Sequence, residues 1–437
     1  MIDREVRTDI LRVVDGLTDE LVQLVCETVR IPSVPPMPAG FGSSDTAGEA
    51  NGESEVNRVL KLVMESCGLG TDLWEVVRAR ANLVGIWRGK GKGRSLLING
   101  HVDVVPPGDT DKWTVAGPWS GAVINGRIYG RGSTDMKGGI AAAVFAMKAL
   151  LKSGYEPKGD VFIHSVVGEE HMETYAGTGA ALERGYRADA AIVAEASGPP
   201  YRLSINTASP GLAVMQIRVK GKAAHISMRD ELVRAGGRGS RAGVSAIDKA
   251  FLVYQALCQL EEEWGQTKTH AAFTRPGHFT LFPTVINGGD IEAACIPEEC
   301  SMMYMIWYPP SDTPEGIAAE IQEHLSRFVQ TDPWLRDNPP EVYVPLFSWP
   351  PFETSQDEPI CKAAAAASQA LFNRPAVLYG AAYTSDASFI RQAGIPTIVL
   401  GPGSIELAHG FNEYVEIQDL VDAAKLYALT IVEWCGI

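Results

Sequence analysis

Long hydrophobic runs are missing from this chain. No stretch of about 18 apolar residues occurs, so no transmembrane helix is expected. The opening residues, Met1-Ile-Asp-Arg-Glu-Val-Arg-Thr-Asp9, are polar and mixed in charge, without the apolar core of a secretory signal. Basic residues are also in short supply: 38 Lys and Arg face 53 Asp and Glu, for a net charge of −15. That balance argues against nonspecific binding to nucleic acid or to an anionic membrane. It leaves the substrate open, because a cationic metal centre can reverse the local field. Cysteine is sparse, with seven scattered residues and no CxxC pair, as expected of a reduced, cytoplasmic enzyme. Cys26 and Cys258 fall in apolar helical patterns and are expected to pack. The remainder is ordinary for a globular protein, and 437 residues are too many for one compact core, so two or three domains are expected.

The order of elements implies an α/β fold. Helical sequence covers 4–30, and a Pro/Gly/Ser stretch from Pro32 to Gly52 reads as a long loop. A helix over 53–67 precedes strands at 82–87 and 95–99, then a buried alanine-rich helix over 139–151. Strands at 161–167 and 190–194 flank a helix at 177–183. Strands separated by helices, with polar residues at the strand ends, place a site along the edge of a central sheet. The texture changes near Ser209: strands at 212–219, 279–286 and 300–308 accompany helices at 244–263 and 314–328. This predicts an α+β domain over 209–340, inserted between a first catalytic part, 1–208, and a second, 341–437. The helix–strand rhythm resumes there at 360–371 and 395–400.

Several strand ends carry metal-ligand chemistry. Glu169 and Glu170 stand side by side after the hydrophobic strand from Val161, with no cation nearby in sequence to balance them. One carboxylate can bind metal while the other handles a proton. His101-Val-Asp103 follows a short strand, and residues two apart in extended chain share a face, so Asp103 can brace His101. Asp135 sits in the Gly-rich segment Tyr129-Gly-Arg-Gly-Ser-Thr-Asp-Met-Lys-Gly-Gly139, where two carboxylate oxygens can bridge two ions or cap a helix. Glu195 ends a strand, and His409 follows the loop Gly401-Pro-Gly403. Histidine and carboxylate together suit zinc, and the oxygen-rich set also accommodates cobalt or manganese.

Taken together, Gly100-His-Val-Asp-Val-Val-Pro106, Gly126 to Gly139, Gly168-Glu-Glu170, Gly221-Lys-Ala-Ala-His-Ile-Ser227, Thr384-Ser-Asp386 and Gly401 to His409 resemble the M20 metallopeptidase family, in that family's order and over nearly the whole chain. The family includes acetylornithine deacetylases, succinyl-diaminopimelate desuccinylases, aminoacylases and carboxypeptidase G-type enzymes. The resemblance implies a zinc-peptidase-like catalytic domain with a central sheet flanked by helices, plus an inserted lid and dimerisation domain. It implies two zinc ions, one held by His101, Asp135 and Glu195 and the other by Asp135, Glu170 and His409. Asp103 would orient His101, Glu169 would be the general base, and the Asp135–Met136 peptide would be cis. His225 would stabilise the oxyanion of the tetrahedral intermediate from across a homodimer.

The implied substrate is a small-molecule amide, such as an N-acyl amino acid; a dipeptidase or glutamate-type carboxypeptidase would use the same machinery. A catalytically silent binding protein is the alternative of another class. One position departs from the family. Where relatives carry an arginine that grips a substrate carboxylate, the segment 296–307 places Met305 and Trp307. Trp307 is expected to pack the domain core, with a less charged or more aromatic substrate as the other reading. The four arginines of 229–241 offer a replacement anion contact.

Overall fold

The structure is a computed structural model that describes residues 2–36, 52–199, 201–229, 231–233, 240–274, 278–289 and 294–437. Most of the expected loop, 37–51, lies outside these residues. The chain divides into two compact units. The first comprises 1–208, 353–381 and 385–437, and the second 209–352 with 382–384.

In the first unit the described residues form a nine-stranded mixed sheet. Four of its strands lie side by side in the order Val161–Val166, Leu96–His101, Ala190–Val193 and Thr397–Val399. Each is parallel to its neighbour, so their carboxyl ends open on one edge. The first three are buried along their whole length, as expected of parallel strands covered on both faces. Part of that cover is the helix Gly138–Lys152, which packs against the C-terminal helix Ile417–Cys435. Both helices are apolar nearly all round, so burial rather than an amphipathic stripe holds them. At one side of the sheet the antiparallel strands Gly70–Val77 and Arg80–Trp87 continue it, with the helix Gly52–Ser66 packed on them.

The second unit has its own core. Strands Thr280–Gly288, Glu299–Tyr308, Gly211–Lys220 and Glu341–Trp349 form an antiparallel sheet in that order. Helices Ala246–Thr267 and Pro314–Phe328 cover one face. Met215, Ile217, Met302, Tyr304, Ile306 and Trp264 are among the residues buried between sheet and helices. Residues 341–352, assigned from the sequence to the catalytic part, belong to this unit, because Glu341–Trp349 pairs with Gly211–Lys220. Trp307 corrects a further expectation. Along Glu299–Tyr308 every second side chain, including Ile306 and Tyr308, enters the core, whereas Trp307 points to the other face and is only partly buried.

All seven cysteines are free; Cys26 is buried and Cys258 half-buried. Among the described residues no helix is long and apolar enough to cross a membrane.

Candidate metal centre

The open edge of the parallel strands gathers the expected ligands. His101 is the last residue of its strand, Glu169 and Glu170 follow Val161–Val166, and Glu195 follows Ala190–Val193. The chain after Thr397–Val399 returns as the loop bearing His409. Asp135 enters from the turn before helix Gly138–Lys152, and the Asp135–Met136 peptide is cis.

Two three-residue clusters result, His101–Asp135–Glu195 and Asp135–Glu170–His409, with the ligand atoms of each within 4.8 Å of one another. His101 Nε2 lies 3.0 Å from Glu195 Oε1 and 3.3 Å from Asp135 Oδ1. His409 Nε2 lies 3.0 Å from Glu170 Oε2 and 3.3 Å from Asp135 Oδ2. Asp135 therefore offers one oxygen to each cluster, as a bridging carboxylate must.

The charges require cations. Burial, reinforced by Asp135, raises the Glu170 carboxyl and pushes Glu195 up to about 7. Burial also holds Glu169 well above its ordinary range, against the pull of His101 and with Glu195, Asp386 and Glu170 adding to the rise. Asp135, although buried, is held below the usual carboxylate range by hydrogen bonds from His101 and His409. Those same contacts with Asp135 and Glu170 raise His409 to about 11. Protons thus serve as counter-ions to clustered carboxylates, a place that divalent ions fill when ligands deprotonate to bind them. Glu170 Oε1 and Glu195 Oε2 are buried without a hydrogen-bond partner. Oxygens left unpaired beside imidazole nitrogens fit two divalent ions held by mixed N and O donors.

The surroundings orient these groups. His101 Nδ1 is 2.9 Å from the main-chain carbonyl of Asp103, which keeps a proton on Nδ1, so that Nε2 is the nitrogen that would turn a lone pair to a metal on losing its proton. The Asp103 carboxylate does not make this bond: its Oδ1 is 3.6 Å from Nδ1, while Oδ2 accepts from the Glu170 N–H at 2.9 Å. Asp103 thus braces both a histidine ligand and the Glu169–Glu170 turn.

Sequence reasoning missed two residues of this support. Glu413 is fully buried, and its Oε1 accepts from the N–H groups of Gly132, Thr134 and Asp135 at 3.0, 3.0 and 3.3 Å. Its Oε2 accepts from Arg131 at 2.6 Å, and Arg131 also donates to the His409 carbonyl at 3.2 Å. One carboxylate thereby ties the Asp135 turn to the His409 loop. The only sequence signal was a charged residue four positions after His409.

His225 belongs to the second unit. It is exposed, and its Nδ1 accepts from the Ser227 N–H at 3.3 Å and faces Ser227 Oγ at 2.9 Å. Of the arginines at 229–241, Arg229 pairs with Asp248, while Arg234 and Arg238 lie outside the described residues.

A mixed α/β sheet whose edge carries two ligand clusters sharing one carboxylate defines a hydrolase with a dinuclear metal centre. Residues 97–433 match Peptidase family M20/M25/M40, and the chain belongs to that family. It is similar to N-formyl-4-amino-5-aminomethyl-2-methylpyrimidine deformylase of Halalkalibacterium halodurans, at 33% identity over 98% of this chain and 97% of that protein. The Bacillus subtilis protein of the same name is 33% identical over 85% of this chain and 87% of its own. In fold, the chain resembles human carnosine dipeptidase 1, with a TM-score of 0.70 at 15% identity over 99% of both chains. Family and ligand clusters together support metal-dependent amidohydrolase or peptidase activity.

Proposed function

We propose that this enzyme removes the formyl group from an aminomethyl-substituted pyrimidine, or a closely related heteroaromatic amine, by hydrolysing the amide to formate and free amine. The observation that carries this reading is the similarity to two pyrimidine deformylases, one of them matched over nearly its whole length. Trp307 supports it: an aromatic side chain, turned away from its own core, stands where a grip on a substrate carboxylate is expected in the family. A formylated pyrimidine has no carboxylate to grip.

Zinc is the metal this donor set favours, with His101, Asp135 and Glu195 holding one ion and Asp135, Glu170 and His409 the other. When bound, the pair of ions supplies a water of lowered pKa and polarises the amide carbonyl. Glu169 takes the proton from the attacking water and returns it to the leaving nitrogen. Its Oε2 lies 3.8 Å from His101 Nε2, so it faces the centre without occupying a position in either ligand cluster. His225 donates to the oxyanion from Nε2, a tautomer favoured by the hydrogen bond that Nδ1 accepts from the Ser227 N–H. The second unit acts as lid and dimerisation domain, and the working form is a homodimer.

The test is a substrate panel on the zinc-loaded protein, reading formate or free amine. The formylated aminomethylpyrimidine should exceed N-succinyl-diaminopimelate and dipeptides in kcat/KM by about 100-fold or more. A preference for a carboxylate-bearing acyl amino acid would overturn the reading.

A further inference from the structure

The turn that carries Glu169 and Glu170 is held from a distant strand, through Glu173. Arg80 opens the strand Arg80–Trp87 and is 3% exposed. Its Nε and Nη2 donate to the two oxygens of Glu53, at 2.6 and 2.9 Å, in a bidentate pair. Its Nη1 donates to Glu173. Glu173 closes the turn that carries both carboxylates: its N–H donates to the Gly168 carbonyl, and the Met172 N–H donates to the Glu169 carbonyl at 2.8 Å. The start of that turn needs Gly168, whose φ of +83° suits glycine and where a Cβ would meet the Glu173 carbonyl at 2.9 Å. On its inner side the turn is held by the Glu170 N–H bond to Asp103. Arg80 therefore anchors the outer side of a turn whose inner side presents a metal ligand and the proposed base.

Stability alone does not account for such a group. An ion pair buried as deeply as Arg80–Glu53 is often matched or exceeded in stability by apolar residues of the same volume. What apolar residues cannot do is fix direction: a planar guanidinium sets the angle of each carboxylate it binds. We propose that Arg80 is a positioning residue of the metal centre, which acts through Glu173 to hold the Glu169–Glu170 turn and so sets the affinity of the ion bound by Asp135, Glu170 and His409. This rests on the dinuclear reading of the site.

The test titrates metal-free protein with cobalt(II), followed by calorimetry and by the visible spectrum, which reports ligand geometry. Wild type should take up two ions. Arg80→Lys, which cannot make the bidentate pair, should weaken one of the two binding steps about tenfold, the scale on which groups behind a ligand act. The other step should be unchanged. In a Glu170→Ala background, Arg80→Lys should have no further effect, since its route to the metal is gone. Glu173→Ala, at a partly exposed position, keeps the test available if Arg80 variants fold poorly, and should weaken the same step. A triple variant, Arg80→Met with Glu53→Leu and Glu173→Leu, should regain thermal stability without regaining the lost affinity. The inference is overturned if Arg80→Lys binds both ions as wild type does, if both steps weaken equally, or if the apolar triad restores affinity together with stability. Fewer than two ions in the wild type would overturn the dinuclear reading itself, and this inference with it.

Discussion

Adjacent carboxylates can do different work only if their surroundings differ, and those of Glu169 and Glu170 do. Glu170 Oε2 meets His409 at 3.0 Å within a ligand cluster, and its N–H is held by Asp103. Glu169 belongs to neither cluster, which leaves its carboxylate free for the proton transfer proposed for it. Glu169→Ala should therefore cut kcat by about 100-fold or more while both metals stay bound, because a general base contributes on that scale. Glu170→Ala should lose one metal, measured by elemental analysis after gel filtration. Equal metal loss in both variants would overturn this division. At the same scale, the ligand types and the bridging Asp135 were legible from strand ends and motif spacing. Arg80, Arg131 and Glu413 were not, because each acts through contacts to residues far away in sequence, and a lone Arg or Glu has no periodicity to betray it.

Among the elements, the edge strand Thr280–Gly288 is the candidate contact of the proposed dimer. It ends its sheet, and Phe282, Val285 and Ile286 are each more than half exposed on it. Phe251, on the neighbouring helix, is 57% exposed. The edge carries no charged side chain, and Pro283 with the irregularity between Pro283 and Val285 interrupts its pairing only in the middle. It is the surface expected to pair in the proposed homodimer. Ile286→Lys with Phe282→Glu should shift the protein from dimer to monomer in sedimentation, and kcat should fall with it, since His225 then has no second copy to serve. A monomer with wild-type kcat would remove both the dimer requirement and the trans role of His225. Most of the long regular elements were readable from sequence to within a few residues, although the edge strand Gly70–Val77 was not read. The strand Glu341–Trp349 was not, and its register against Gly211–Lys220 slips between Tyr343 and Phe347. The C-terminal helix Ile417–Cys435 also escaped, because burial on most sides removes the polar–apolar alternation that marks a helix.

For the molecule as a whole, stability and metal content must be separated before pH effects are interpreted, since the metal-site histidines and carboxylates titrate with the ions. His164 offers a probe outside the ligand clusters. It lies in the middle of the central strand Val161–Val166, fully buried, with no well-formed hydrogen bond to either ring nitrogen. Burial, against only a weak pull from the Tyr186 backbone, lowers its pKa from 6.5 to about 3. A group whose folded pKa lies below its unfolded one gives stability that is complete above the unfolded value and is lost as pH falls toward the folded value. The neutral ring is tolerated in the core, whereas the unfolded chain gains a proton from about pH 6.5 downward. Between pH 6.5 and 5 the loss from this one residue should be about 2 kcal/mol, from 1.36 kcal/mol per unit. His164→Leu removes the titrating group and keeps an apolar side chain of similar size. Denaturant unfolding of both proteins in metal-free buffer, at intervals from pH 7.5 to 5, isolates the term as a difference. The parent should lose stability faster than the variant below pH 6.5, and the two curves should run parallel above about pH 7. Parallel curves over the whole range would mean that His164 is solvated or protonated in the folded protein, and that the strand beneath the metal centre is looser than its burial indicates.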